Sequence, residues 1–258
     1  MKMTDEEIRA AAAQKLTDER IHASNVTETT PSGITAEVVR FAATLSETAP
    51  LLVPFIEDAC GRYGWCNDGV RLKVEADGGE AVYGWTVWEW APVLLTGEFH
   101  CVWRAPDGTL FDITPKPRFE KQIVFVPDPT RPADFDFDLR PRNSRMNIYG
   151  PKAHAARLER LRASLTPSKQ AYETRRAEKS GLSLEAWLKE KTAADPVSDA
   201  VDALIQACDA FEAHYDSLGM SGQVAIDRKF EQLYLARIAA QKRCAGMMRT
   251  IPAPAMTN

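Results

Sequence analysis

Residues 98–115 read EFHCVWRAPDGTLFDITP, and this stretch decides how the sheet of the protein is built. The segment Pro106-Asp107-Gly108 suits a type I turn followed by a left-handed glycine, which makes a three-residue hairpin loop. Such a loop places Val102 opposite Asp112 on two antiparallel strands. His100 and Asp112 then become diagonal neighbours on one face of the sheet, and their side chains can reach each other.

A cysteine precedes this hairpin in the segment YGWCND. Cys66, His100 and Asp112 are, in that order, the thiol, imidazole and carboxylate of a catalytic triad with a thiol nucleophile. If Cys66 begins or ends a helix packed on the hairpin, its sulfur can face His100, and a thiolate–imidazolium pair is nucleophilic at neutral pH. Asn67, with support from Trp65 and the backbone amides beside Cys66, is the candidate source of oxyanion donors.

The letters around the histidine and the aspartate carry a family resemblance. Glu98–Trp103 is an aromatic-rich strand around the histidine, and Phe111–Pro115 contains a D-x-T segment. With the cysteine upstream, this order is similar to the transglutaminase-like branch of the papain-like superfamily, over residues 55–126. The resemblance implies a helix carrying Cys66 packed on an antiparallel sheet. It also implies acyl chemistry at the thiol: peptide or isopeptide hydrolysis, deamidation or transamidation.

Two other interpretations of the cysteines stay open. Free cysteine is among the most buried residue types, so Cys66 alone would be interpreted as a core residue. A zinc site made of Cys60, Cys66, His100 and Cys101 is disfavoured, because the C-x5-C spacing lacks the usual gap between zinc ligands. His100 and Cys101 are also neighbours on a strand and should point to opposite faces. We therefore expect no metal and no cofactor.

The chain around this region predicts an α+β fold. Thr4 and Glu7 form a capping box that begins a helix, and an apolar stripe predicts a second helix over residues 35–47. From residue 70 to 126, β-branched and aromatic residues lie between turn signals, which predicts an antiparallel sheet. The predicted strands are 70–76, 80–90, 98–104, 109–114 and 121–126. Residues 1–126 are thus expected to form one papain-like domain, in which an N-terminal helix layer packs on the sheet.

The rest of the chain differs from this region in composition and in periodicity. Residues 127–151 are rich in Pro, Asp and Arg and lack a helix or strand period, which predicts a long connection. Residues 152–250 predict an all-helical C-terminal region. Within it, 198–218 and 222–246 are expected to pack as an antiparallel helical hairpin. Residues 251–258 predict a loose tail.

Aromatic and arginine side chains near the triad are candidate substrate-binding residues. They would line a groove for an acyl donor together with the long connection. The five candidates are Trp85, Trp88, Trp103, Arg140 and Arg142. The simpler interpretation is that the tryptophans belong to the core and that the arginines are solvated.

Composition disfavours several classes of function. The net charge is −4, so there is no basic excess to suggest a nucleic-acid partner. The sequence has no apolar run long enough for a bilayer, and its N-terminus lacks the apolar core of a signal peptide. We therefore expect no membrane partner and a cytoplasmic location. The five cysteines are odd in number, which disfavours a disulfide framework.

The sequence supports two hypotheses about function. The first is a cysteine hydrolase or acyltransferase that acts on a protein or peptide substrate, with the helical region free to bind a protein partner. The second is a non-catalytic binding or assembly protein that keeps a papain-like scaffold. The first requires Cys66 to lie within reach of His100. The second predicts that Cys66→Ser leaves the binding activity unchanged.

Overall fold

The computed structural model describes residues 3–21, 28–192, 195–219, 226–249 and 251. Within these ranges the chain forms eight α-helices and one six-stranded sheet whose strands pair antiparallel, which confirms the mixed α and β fold class. The chain divides into two compact units. The first unit is Met1–Met146 with Glu212–Phe230, and the second is Asn147–Phe211 with Glu231–Asn258. Residues 252–258 of the predicted tail lie outside the described ranges.

The first unit contains most of the sheet and the first three helices. The strands are β1 (Leu51–Pro54), β2 (Glu80–Trp90), β3 (Leu94–Arg104), β4 (Leu110–Phe111), β5 (Gln122–Pro127) and β6 (Ser144–Asn147). Their order in the sheet is β1-β5-β2-β3-β4, and β6 also pairs with β3. The helices are α1 (Asp5–Ile21), α2 (Ala36–Leu45) and α3 (Cys66–Asp77).

The remaining helices follow in the second half of the chain. They are α4 (Tyr149–Ala163), α5 (Pro167–Lys179), α6 (Leu184–Lys191), α7 (Pro196–Ser217) and α8 (Arg228–Met248). The ring of Phe211 packs against Tyr234 and that of Tyr215 against Phe230, with centroids 6.1 and 6.5 Å apart. These pairs run in opposite directions along α7 and α8, which confirms the antiparallel helical hairpin. Part of its turn, residues 220–225, lies outside the described ranges. No helix in the described part of the chain is long and apolar enough to cross a bilayer.

Both predicted N-terminal helices are present. At the start of α1, the Thr4 amide donates to Glu7 Oε2 at 2.7 Å and the Glu7 amide donates to Thr4 Oγ1 at 3.3 Å. This reciprocal pair is the predicted capping box. At the start of α2, Thr35 Oγ1 accepts from the Val38 amide, and the helix buries an apolar stripe that includes Phe41.

The hairpin between β3 and β4 has the predicted register. Gly108 adopts a φ of +89°, and the Ala105 amide donates to the Thr109 carbonyl at 2.9 Å. Strand β4 pairs Phe111 with Trp103 and Leu110 with Arg104, the register in which Asp112 follows on the side of Val102. The left-handed glycine that closes the loop is therefore what puts the aspartate on the face predicted for it.

Two local predictions are wrong. Residues 70–76 were expected to be a strand, but they belong to α3. Their apolar residues alternate as in a strand, yet Arg71 pairs with Glu75 and Lys73 with Asp77 at the i,i+4 spacing that supports a helix.

The long connection is also more ordered than its sequence suggests. It contains a 3₁₀ turn at Phe137–Leu139 and strand β6, and α4 begins at Tyr149 within its predicted range. All four residues of β6 are half-buried, and a strand this short has no period that its sequence could reveal.

The sheet curls so that its two ends meet. β1 and β4 lie at opposite ends of the strand order, yet Phe55 forms a parallel bridge with Asp112. The Ile56 amide donates to the Asp112 carbonyl, and the Asp112 amide donates to the Pro54 carbonyl, both at 2.9 Å. Asp112 thus leaves the β3–β4 ladder in order to close the sheet. A cluster of fully buried apolar side chains packs at this closure: Val53, Val102, Ile123 and Phe125.

Close backbone contacts fix α3 against the closed sheet. A Cβ on Gly61 would lie 2.3 Å from the Ile113 carbonyl oxygen, and one on Gly69 would lie 2.9 Å from the Cys60 carbonyl oxygen. Real Cβ atoms do not approach backbone oxygens so closely, so only glycine lets these segments touch. The start of α3 is therefore held at a fixed distance from the residues that follow β4.

Replacing Gly61 with alanine is expected to lower the free energy of unfolding by about 1–3 kcal/mol, because the new methyl group overpacks a backbone contact that cannot yield. Urea denaturation followed by circular dichroism measures this loss. Gly33→Ala is the matched control, because a Cβ there would meet nothing within 4 Å. An equal loss in both variants would contradict the close-contact explanation.

Candidate active site

Cys66 begins helix α3, directly after Trp65 at the N-cap position. The thiol is buried, with 7% of the residue exposed. The first amides of a helix have no acceptor within the helix and carry the positive end of its dipole. A thiolate on Cys66 therefore sits where a helix stabilises an anion.

His100 connects the cysteine to the aspartate. It lies on β3 and is 4% exposed. Its Nε2 is 3.3 Å from Asp112 Oδ1, and the Cys66 thiol lies close enough to raise the pKa of the imidazole. Because Nε2 faces Asp112, Nδ1 is the ring nitrogen left for the thiol. The structure thus brings together Cys66, His100 and Asp112, the three catalytic candidates predicted from the sequence.

The charge of His100 follows from these neighbours. Burial lowers the pKa of His100, but the negative charges of Cys66 and Asp112 and the hydrogen bonds to both outweigh burial and raise it to about 10. The imidazolium is therefore the favoured form at neutral pH. Because this pKa is raised above the ordinary 6.5, the stability it gives is fully present below pH 6.5 and is lost as pH rises through about 10.

Asp112 is held from three sides and is fully buried. Its Oδ1 faces His100 and accepts from the Thr114 amide at 2.8 Å, and Lys116 Nζ lies 2.5 Å from its Oδ2. Burial raises the pKa of Asp112, but the charges of Lys116 and His100 outweigh burial and hold it well below its ordinary value. Asp112 therefore stays a carboxylate with a fixed orientation, as the orienting residue of a triad must.

Asn67 is oriented by the sheet. It follows Cys66 in α3, and its Oδ1 accepts from the Tyr83 hydroxyl at 2.8 Å. This bond leaves the amide nitrogen of Asn67 as its donor end. Tyr83 is itself packed by Phe99 from β3 and by Phe135 and Phe137 from the long connection. The connection therefore supports the residue next to Cys66.

Cys66 and His100 open into a cleft of about 1060 Å³ within the first unit. Its walls are formed by α1, the start of α3, strands β2 and β3, the residues after β4, the long connection and the end of α7. Among the lining side chains are Lys15, Trp65, Asn67, Asp68, Trp88, Glu98, Lys116, Arg140 and Arg142. The volume is at the upper end for small-molecule pockets, which suits a segment of peptide.

The candidate groove residues divide into two groups. Trp88, Arg140 and Arg142 line the cleft. The structure places Trp85 and Trp103 in the core instead, each 7% exposed. Trp85 packs edge-on against Phe99 with ring centroids 5.3 Å apart, and Trp103 Nε1 donates to the Gly78 carbonyl at 2.9 Å. By strand alternation both tryptophans lie on the face of the β2–β3 pair opposite to that of His100.

The arginines of the long connection are engaged within the first unit. Arg142 pairs with Asp216, and Arg145 pairs with Glu212. The Arg140 guanidinium lies over the Phe137 ring, 5.1 Å from its centroid. Arg140 and Arg142 remain exposed, as in the simpler interpretation, whereas the Arg145 side chain is largely buried.

Lys116 and Tyr83 are the site residues that sequence reasoning missed. Lys116 follows Asp112 by four positions in D-I-T-P-K, and no period marks it as buried. Tyr83 lies in an aromatic strand where every second residue could belong to the core. A lysine enclosed by two prolines directly after the D-x-T segment is the one signal that the sequence offered.

The other cysteines play separate parts. Burial and the nearby Cys66 and Asp112 charges raise the pKa of Cys101 well above its ordinary value, so Cys101 keeps its proton. Cys60 is half-buried beside Asp58, which also raises its pKa after the effect of burial. Within the described ranges, no group of three or more His, Cys, Asp or Glu side chains is placed to hold a metal ion.

Comparisons with known proteins give no relative for this chain. No protein-family model matches it, and no curated protein or solved structure matches it either. What the site can do is therefore argued from its own geometry.

Proposed function

We propose that the protein is a cysteine-dependent acyl-transfer enzyme of papain-like, transglutaminase-like type. Cys66 is the nucleophile, and Asp112 orients the imidazole of His100. His100 holds the proton of the thiol, gives it to the leaving amine as general acid and then acts as general base. The observation that carries the proposal is the position of His100, which lies beside a helix-terminal thiol and within 3.3 Å of a buried carboxylate. A structural cysteine needs neither partner.

In the first half of the reaction, the Cys66 thiolate attacks the carbonyl carbon of an amide and a C–S bond forms. The carbonyl electrons move to the oxygen, for which the first amides of α3 and the Asn67 side chain are the candidate donors. Collapse of this intermediate breaks the C–N bond. The His100 imidazolium gives its proton to the leaving amine, and a thioester on Cys66 remains.

In the second half, water or another amine attacks the thioester while His100 takes its proton. The acyl product leaves, and the thiolate and the imidazolium are restored. Water as acceptor gives hydrolysis or, for a glutamine donor, deamidation, whereas an amine gives transamidation. The open cleft and its mixed charges are compatible with a protein or peptide donor.

Incubation with p-nitrophenyl acetate should leave one acetyl group on Cys66, because an activated thiolate attacks this ester without a dedicated binding pocket. Peptide mapping by mass spectrometry locates the group. The half-buried Cys60 is the internal control, and Cys66→Ser should lose the label. Equal acetylation of Cys60 and Cys66 would favour the non-catalytic binding or assembly protein. So would the absence of a Cys66 label together with no release of p-nitrophenol beyond that of Cys66→Ser. A panel of peptide amides and glutamine peptides, with and without an added amine, then identifies donor and acceptor.

A further inference from the structure

A buried lysine lies directly behind the triad. Lys116 is 3% exposed, and its Nζ is 2.5 Å from Oδ2 of Asp112, the carboxylate oxygen on the side away from His100. Its ammonium lies 5.8 Å from the centroid of the Trp88 ring, and Trp88 Nε1 donates to Glu98 Oε2 at 2.8 Å. Lys116 is thus enclosed between the triad and one wall of the cleft.

The buried charges of the site sum to zero only when the Lys116 ammonium is included. A Cys66 thiolate, a His100 imidazolium and an Asp112 carboxylate together carry one net negative charge. All three residues are buried, and an uncompensated charge is costly to bury. The Lys116 ammonium makes the set of four neutral. Without it, the site regains neutrality by protonating the thiolate or the carboxylate, and either change weakens the nucleophile.

We propose that Lys116 is a positioning residue of this enzyme, which fixes and neutralises Asp112 so that the Cys66 thiolate and the His100 imidazolium can coexist in a buried site. The inference rests on the proposed function, and it adds a fourth member to the triad. Lys116 acts through Asp112 and does not touch the reacting atoms.

Other ionisable groups surround the four residues. From β3 come Glu98 and Cys101, from β2 comes Tyr83, and from α3 comes Asp68. Burial first, and nearby negative charge second, raise the pKa values of Cys101 and Tyr83, so both stay neutral near pH 7. Glu98 is bonded to Trp88. Beside the His100 imidazolium, Lys116 is the cation in contact with the Asp112 carboxylate.

The chain contains a matched control lysine. Lys73 on α3 is also largely buried, with 13% of its side chain exposed, and its Nζ lies 2.5 Å from both Asp58 and Asp77. Like Lys116 it stacks on a tryptophan, Trp103, at 4.8 Å. Removing Lys73 therefore breaks a buried ion pair of the same kind, but one whose acidic partners lie outside the triad.

The experiment measures the rate of Cys66 alkylation by iodoacetamide from pH 5 to 10 in the full chain. Iodoacetamide is neutral, so the rate does not reflect attraction of the reagent to a charge. Wild type, K116M, K73M and H100A are compared, with folding checked by circular dichroism. We expect K116M to react about tenfold more slowly at pH 6, with its midpoint about one pH unit higher, and K73M to keep the wild-type midpoint.

The outcomes separate this inference from the proposed function. If wild-type Cys66 is inert, or reacts equally in H100A, the proposed function fails and this inference fails with it. If wild type is activated but K116M and K73M share its midpoint, only the role of Lys116 is overturned. A purely structural lysine would lower the melting temperature in both variants without moving the midpoint.

A second pair of variants, K116Q and K116R, tests the proposal if K116M does not fold. K116Q removes the charge but keeps a polar side chain, and the same upward shift is expected of it. K116R keeps the charge, and we expect a midpoint within a few tenths of a unit of the wild type. If neither neutral variant folds, K116R decides: an unchanged midpoint supports the proposal, and a shift towards that of H100A overturns it.

Discussion

Replacing His100 with alanine is expected to slow the alkylation of Cys66 by iodoacetamide at pH 6 by about a hundredfold. An unassisted thiol ionises with a pKa of about 8.5, so roughly 0.3% of it is thiolate at pH 6. Under the proposed function, the imidazolium of His100 stabilises the Cys66 thiolate, and the variant removes that partner. The rate is measured by quenching at timed intervals and counting modified Cys66 by mass spectrometry.

His214→Ala is the matched control for this measurement. His214 is also buried and also bonds to an aspartate, with Nε2 2.9 Å from Asp227 Oδ1, so its loss tests the general effect of removing a buried histidine. We expect alkylation of Cys66 in this variant to stay within about twofold of the wild type. Comparable slowing in both variants would mean that His100 affects Cys66 through the fold and not through the hydrogen bond.

Asp112→Asn is expected to cause the largest loss of stability, about 3–5 kcal/mol in the free energy of unfolding. The amide keeps the shape of the carboxylate but leaves Lys116 buried beside a neutral group, which is the costly way to break a buried pair. It also removes the acceptor charge that faces His100. Urea titrations at pH 7 measure the loss.

The stability lost in D112N should depend on pH in a definite direction. The pKa of Asp112 is depressed in the folded protein, so its contribution is fully present above the ordinary value of 3.8 and is lost as pH falls through the folded value. The difference in the free energy of unfolding between wild type and D112N should therefore be constant above pH 4 and decrease below it. Asp58→Asn is the control, and its loss should be smaller because Lys73 keeps Asp77. A difference between wild type and D112N that increases in acid would contradict the depressed pKa of Asp112.

The hairpin could be predicted because its physics is local. Gly108 alone decides between a two-residue and a three-residue loop, and that choice decides whether His100 and Asp112 share a face. The capping box at Thr4 is local in the same way. Features set by neighbouring residues in the chain are legible in the sequence.

Features that depend on contacts between residues far apart in the chain could not be predicted from the sequence. Residues 70–76 carry a strand-like alternation, and the packing of the helix start against Gly61 and its neighbours adds to the i,i+4 ion pairs in making that segment helical. The burial of Lys116 depends on a carboxylate that is itself buried by the closure of the sheet. The separation of Trp88 from Trp85 follows from strand alternation once the register of β2 with β3 is known, because Trp88 shares the face of His100 and Trp85 does not.

The closure at Asp112 has a consequence for how this protein can diverge. The backbone of Asp112 joins the two ends of the sheet, and its side chain partners a buried lysine, so the residue is tied to folding whether or not the thiol reacts. If a duplicated gene lost the proposed chemistry of the thiol, Cys66 would be free to change while folding still constrained Asp112 and Lys116. An aspartate and a lysine four residues apart after such a hairpin would then persist without the cysteine.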